Sequence, residues 1–161
     1  MTSAGVPLAE KLISTLRERG ETVATAESLT AGLVCVTLTE VPGASAVVRG
    51  GLIVYATDLK QRLAGVDGSL LARHGAVHPE VAAQMAAGAR DKCGATWGIG
   101  LTGVAGPDPQ DGVAPGTVYL AVASAQRHTG RKLIVSGARQ QVRQSAAVFA
   151  LELLIETLGA D

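Results

Sequence analysis

The chain has 161 residues, of which 47% are hydrophobic, 17% charged and 2% aromatic. That length fits one α/β domain over residues 1–161 with a core of its own, and the composition excludes a disordered chain. Lysine plus arginine equals aspartate plus glutamate at 14 each, so the basic excess that drives nucleic-acid binding is missing.

The aromatics are Tyr55, Trp97, Tyr119 and Phe149. They are too scattered to stack single-stranded bases, and they leave the core to Ala, Val, Leu and Ile. Cys35 and Cys93 stand alone, without a CxxC pair, and read as two buried thiols behaving as small hydrophobes. No basic segment followed by an apolar run opens the chain, and no apolar run approaches the roughly 20 residues of a membrane span. The expectation is a cytoplasmic chain with no membrane and no nucleic-acid partner.

In chain order, residues 7–19 carry Leu8, Leu12, Ile13 and Leu16 at helical spacing, with Gly20 closing the helix. Residues 22–26 read as a short buried strand. Residues 33–38 are β-branched enough for a strand, but the run from Thr30 to Glu40 has helical length, and helix is chosen. Val41-Pro42-Gly43 makes a turn. Residues 51–55 read as a strand, followed by a short helix carrying Lys60 and capped by Thr57 or Asp58. Residues 69–74 suggest another short helix.

The clearest helix is 79–93, with Pro79 at its first position, Glu80 against the N-terminal dipole and Gly94 beyond its end. Strands are predicted at 95–102, 117–123 and 133–136, and a closing helix at 139–158. The interleaving implies a layered sheet with helices on both faces.

Three segments could carry chemistry. Ala26-Glu27-Ser28-Leu29-Thr30-Ala31-Gly32 joins a strand end to a helix start. There Ser28 or Thr30 caps the helix, or Ser28 faces a crevice at the carboxyl end of the sheet. Free N–H groups of the following helix would then stabilise an oxyanion. Lys60, one of four lysines, follows a buried strand. It is either a solvated helix residue or a desolvated general base.

Thr102-Gly103-Val104-Ala105-Gly106-Pro107 follows a strand and opens a long Gly/Pro/Asp loop to Gly116. It matches neither a P-loop nor a dinucleotide fingerprint. It is an ordinary turn or a place where backbone approaches a ligand. His74 and His78 are separated by Gly75 and bounded by Pro79, which argues against a metal site. No Gly-x-Ser-x-Gly elbow is present.

Taken together, Thr25-Ala26-Glu27-Ser28, Val41-Pro42-Gly43-Ala44-Ser45, Arg49-Gly50-Gly51 with Tyr55 and Lys60, His74-Gly75-Ala76-Val77, Thr102 to Pro107, Pro115-Gly116-Thr117-Val118, and Arg139 with Val142-Arg143 form an ordered set. With these the sequence resembles the CinA C-terminal-domain family of nicotinamide-nucleotide amidohydrolases, from about residue 8 to 158.

The resemblance implies a three-layer α/β/α sandwich around a mixed sheet and hydrolysis of the carboxamide of nicotinamide mononucleotide, with no metal or other cofactor. It implies Ser28 as nucleophile, Lys60 as its base and Tyr55 beside them. Glu27, Thr30, Ser45, Thr102, Gly103 and Gly106 are the implied substrate-binding residues, with Arg139 and Arg143 on the phosphate. It further implies a homo-oligomer and the stand-alone form of the domain.

The chain departs from the family's Glu-Ser-Cys-Thr-Gly-Gly at Leu29 and Ala31, from its Gly-Asp-Arg at Ala138, and from its Gly-Gly form in the loop at 108–112. These departures bear on activity. The competing reading is a catalytically weak binding or regulatory module linked to competence or DNA damage.

Overall fold

The computed structural model describes residues 5–160. Six helices and five strands follow in the order α1 (Gly5–Arg19), β1 (Val23–Glu27), α2 (Leu33–Thr39), β2 (Val48–Ile53), α3 (Thr57–Arg62), α4 (Gly68–His74), α5 (Pro79–Cys93), β3 (Trp97–Gly103), β4 (Thr117–Ala123), β5 (His128–Ile134) and α6 (Arg139–Gly159). The sheet order is β2-β1-β3-β4-β5. β1 runs parallel to both β2 and β3, while β3–β4 and β4–β5 are antiparallel. Helices α1, α2 and α6 cover one face and α3, α4 and α5 the other. This is the expected α/β/α sandwich around a mixed sheet.

The central strand β3 shows how composition becomes layering. Successive side chains alternate between faces. Trp97, Ile99 and Leu101 enter the large aliphatic core beneath α1, α2 and α6. Gly98 and Gly100 face α5, and a Cβ there would stand 1.8 Å from the Ala86 carbonyl oxygen and 2.3 Å from that of Ala82. The helix therefore lies almost directly on the backbone of the strand. β4 continues the division: Val118, Leu120 and Val122 join the large core, and Ala121 and Ala123 meet Ala82, Ala83 and Ala86 of α5. Small residues on one face let a helix approach closely, and large ones on the other fill the volume that close packing demands.

Several local expectations need correction. Residues 33–39 are helical, but neither Ser28 nor Thr30 caps them; the N-cap is Gly32, at φ 101°. Ala56 precedes α3 as its N-cap, so Thr57 and Asp58 are its first two helical residues. The last strand is His128–Ile134, not 133–136. As an edge strand it alternates exposed and half-buried residues, and its Gly130, Arg131 and Lys132 conceal the apolar signal. Cys35 and Cys93 are free thiols, only half-buried. Burial, followed by the nearby Glu27, pushes the Cys35 thiol up from its ordinary value. Among the described residues no helix is long and apolar enough to cross a membrane, and no three potential metal ligands gather. The His74 and His78 rings instead stack on each other, 4.5 Å apart.

Candidate active site

Parallel strands deliver their carboxyl ends to one rim of the sheet, the usual location of a ligand crevice. Here β2, β1 and β3 lie side by side, with Glu27 opposite both Ile53 and Leu101. Ser28 follows β1, Lys60 follows β2 in α3, and the Thr102–Pro107 segment completes and follows β3. All three sequence candidates thus meet at that rim. A cavity of about 530 Å³ opens there, lined among others by Ser28, Tyr55, Thr102, Gly103, Gly106 and Arg139.

Lys60 is 1% exposed. Its Nζ donates to Ser28 Oγ at 3.0 Å, to the Val54 carbonyl at 2.9 Å and to the Tyr55 carbonyl at 3.1 Å. Burial without a hydrogen-bonded carboxylate disfavours the ammonium, so its pKa falls from 10.5 to about 8, with Asp111 pulling weakly the other way. The neutral amine has two N–H bonds and one lone pair. The two carbonyls take the N–H bonds, which leaves the lone pair for the Ser28 hydroxyl proton.

The turn that carries Ser28 is held from beneath. Glu27, fully buried, receives the Gly32, Val34 and Cys35 amides at 2.9–3.1 Å and the Thr25 hydroxyl at 3.1 Å. Those amides are donors that the start of α2 would otherwise leave unpaired. Glu27 therefore caps α2 from five residues upstream. It does not line the cavity. Arg143 holds the other side, donating from Nε to the Leu29 carbonyl at 2.8 Å and from Nη2 to the Thr30 carbonyl at 3.2 Å. It too lies outside the cavity lining and braces the turn instead of awaiting a phosphate. The Ala31 amide is spent on the Ser28 carbonyl. Among the described residues no acceptor takes the Leu29 or Thr30 amide.

Other sequence candidates separate in the fold. Thr30 is fully buried and its hydroxyl has no partner among the described residues; it does not reach the cavity. Ser45 lies in a different groove, beside Cys35 and Arg49 at the opposite end of β2. Thr102 lines the cavity while its hydroxyl donates to the Ala76 carbonyl at 2.7 Å. Gly103 is required by packing, because a Cβ would stand 2.7 Å from the Thr117 oxygen.

Tyr55, 57% exposed, stands at the mouth. Arg139 donates to its hydroxyl at 3.0 Å and to the Gly106 carbonyl at 2.8 Å. Neither acceptor is a carboxylate, and among the described residues no ion pair holds the guanidinium at the entrance.

A model of the CinA C-terminal domain matches residues 6–158. The chain belongs to that family. A CinA-like protein of Frankia casuarinae is 46% identical over 148 residues, 92% of this chain and 34% of that protein. One from Anaeromyxobacter is 47% identical over 91% of this chain and 36% of its own length. The chain thus spans about a third of these relatives. Among solved structures, the competence/damage inducible protein CihA of Agrobacterium tumefaciens superposes with a TM-score of 0.94 at 33% identity, covering 99% of this chain and 98% of that one. The competence or damage-inducible protein of Enterobacter asburiae gives 0.92 at 34%, covering 98% and 99%.

The departures from the CinA pattern now have locations. Ala31 takes a left-handed φ of 49°, where the family's glycine would be unstrained. Leu29, 4% exposed, packs into the large core beside the cavity. Ala138 is the N-cap of α6 with no side-chain hydrogen bond, and Gln141 accepts its amide. The family's aspartate at that position would be a helix cap.

The carbonyls of Val54 and Tyr55, which orient Lys60, and the walls formed by Ala76 and Val77 were not among the sequence candidates. Backbone acceptors leave no trace in side-chain identity.

Proposed function

We propose that this chain is a Ser–Lys amidohydrolase that converts the carboxamide of nicotinamide mononucleotide to the carboxylate and ammonia. The observation that carries the reading is the 3.0 Å contact between Ser28 Oγ and a buried Lys60 Nζ whose other two partners are main-chain carbonyls. Membership in the CinA family is consistent with it.

In the reaction, neutral Lys60 takes the Ser28 proton as Oγ adds to the carboxamide carbon. The unpaired amide of Leu29, a residue of the cavity lining, is the donor offered to the developing oxyanion, where one such donor contributes about 3 kcal/mol. Protonated Lys60 then gives its proton to the departing nitrogen. The C–N bond breaks, ammonia leaves, and an ester joins the acyl group to Ser28. Water attacks that ester with Lys60 again accepting the proton, and Ser28 is regenerated. Tyr55 at the mouth offers a ring face to the pyridine. Arg139 offers a positive charge to the phosphate.

The test is ammonia release from nicotinamide mononucleotide by wild type, Ser28→Ala and Lys60→Ala. Release by wild type alone is expected. A folded wild type that releases none refutes the reading and leaves the competence- or damage-linked binding module, in keeping with the names of its structural relatives.

A further inference from the structure

The loop between β3 and β4 carries a residue that the reaction outlined above does not use. Asp111 adopts a left-handed φ of 50°, a conformation aspartate takes more readily than most residues. The Gln110–Val113 bridge holds it in that conformation, and its consequence is the position of a carboxylate. Oδ2 of Asp111 accepts the Ala76 amide at 3.3 Å. The same oxygen lies 2.6 Å from where a Cβ on Gly75 would be. Gly75 thus leaves room for the carboxylate as well as adopting a φ of 73°.

Ala76 is gripped from both directions. Its amide goes to Asp111 and its carbonyl receives the Thr102 hydroxyl. Ala76 and Val77 form one stretch of cavity wall, and Asp108, Pro109 and Gln110, just before Asp111, form another. One carboxylate therefore fastens two walls of the site together.

We propose that Asp111 is a positioning residue: it latches the 108–110 segment to the Ala76–Val77 wall through the Ala76 amide. Its effect on KM rests on the amidohydrolase reading; the hold on the Ala76 amide does not.

The experiment uses the full chain with Asp111→Asn and Asp111→Ala. Asn retains an oxygen for the Ala76 amide and removes the charge, whereas Ala removes both. Hydrogen exchange of the Ala76 amide, read by NMR, should quicken about tenfold in Asp111→Ala and stay within about twofold in Asp111→Asn. KM for nicotinamide mononucleotide should stay within about twofold in Asp111→Asn and rise about fivefold or more in Asp111→Ala, where the cavity wall is no longer held.

Unchanged Ala76 exchange in folded Asp111→Ala overturns the latch, and so does an unchanged KM where wild type turns over. Wild type without turnover refutes the amidohydrolase reading, and the exchange rate still decides the latch.

Discussion

Burial of Lys60 must weaken the fold at neutral pH, and the weakening has a defined pH range. The folded chain binds the Lys60 proton with a pKa of about 8, against an ordinary value of 10.5. In the unfolded chain that proton stays until near 10.4. Between these values the unfolded state holds more protons, so stability rises with pH. Below pH 8 the penalty for the buried ammonium is present in full; above about 10.4 it is gone. A difference of about 2.5 units corresponds to roughly 3 kcal/mol.

Lys60→Met keeps the length of the side chain and removes the charge. It also strips the Val54 and Tyr55 carbonyls of a donor, a loss that does not depend on pH. That loss sets the offset between variant and wild type, whereas the ammonium alone sets the slope. Urea unfolding of both proteins, stepped from pH 6 to pH 10.5, gives the difference in stability with every other titrating group cancelled. Wild type should gain roughly 3 kcal/mol on the variant between about pH 7 and 10.5, and nothing below pH 7. A flat difference across that range would refute the claim that Lys60 is buried with a depressed pKa. The same titration should appear as the acid limb of kcat/KM near pH 8, because only the neutral amine takes the Ser28 proton.

Three further outcomes follow from particular contacts. Gly100→Val drives a side chain into the Ala82 carbonyl 2.3 Å away and should cost about 4 kcal/mol or more by urea unfolding, because backbone cannot yield as a side chain would. Ala138→Asp supplies α6 with the side-chain cap it lacks and should stabilise the chain by about 1 kcal/mol, readable as a higher Tm. Steady-state kinetics should separate the two arginines. Arg139→Ala should raise KM for nicotinamide mononucleotide about tenfold and leave that for the unphosphorylated riboside unchanged. Arg143→Ala, which loosens the Ser28 turn, should lower kcat about tenfold with both substrates.

Elements with local causes were legible in the sequence. Helix α5 has Pro79 at its start and Gly94 past its end, and its boundaries were predicted at the residues observed. Features made by residues far apart in the chain were not. β5 is an edge strand, so half its side chains face water and the apolar run that would mark it is absent. The cap of α2 comes from Glu27, beyond the one to three residues over which capping patterns extend. Lys60 resembles any exposed helix lysine, because its neighbours Asp58 and Arg62 are exposed. Its burial depends on β2 lying beside β1, which brings Ser28 to it across 32 residues.

Under the amidohydrolase reading, that dependence on topology also accounts for how a lysine could serve where a histidine would need help. An imidazole base must be held in one tautomer and one orientation, usually by a third side chain. Lys60 is oriented by two carbonyls at the exit of β2, which every residue supplies and no substitution removes. The demands for precision move instead to the turn carrying Ser28, where Glu27 grips the amides of α2 and Arg143 grips the Leu29 and Thr30 carbonyls. Ala31, strained at φ 49° in the same turn, is tolerable because those two residues overdetermine its backbone. The positions at which this site should be most sensitive, after Ser28 and Lys60 themselves, are therefore two charged residues outside the cavity lining.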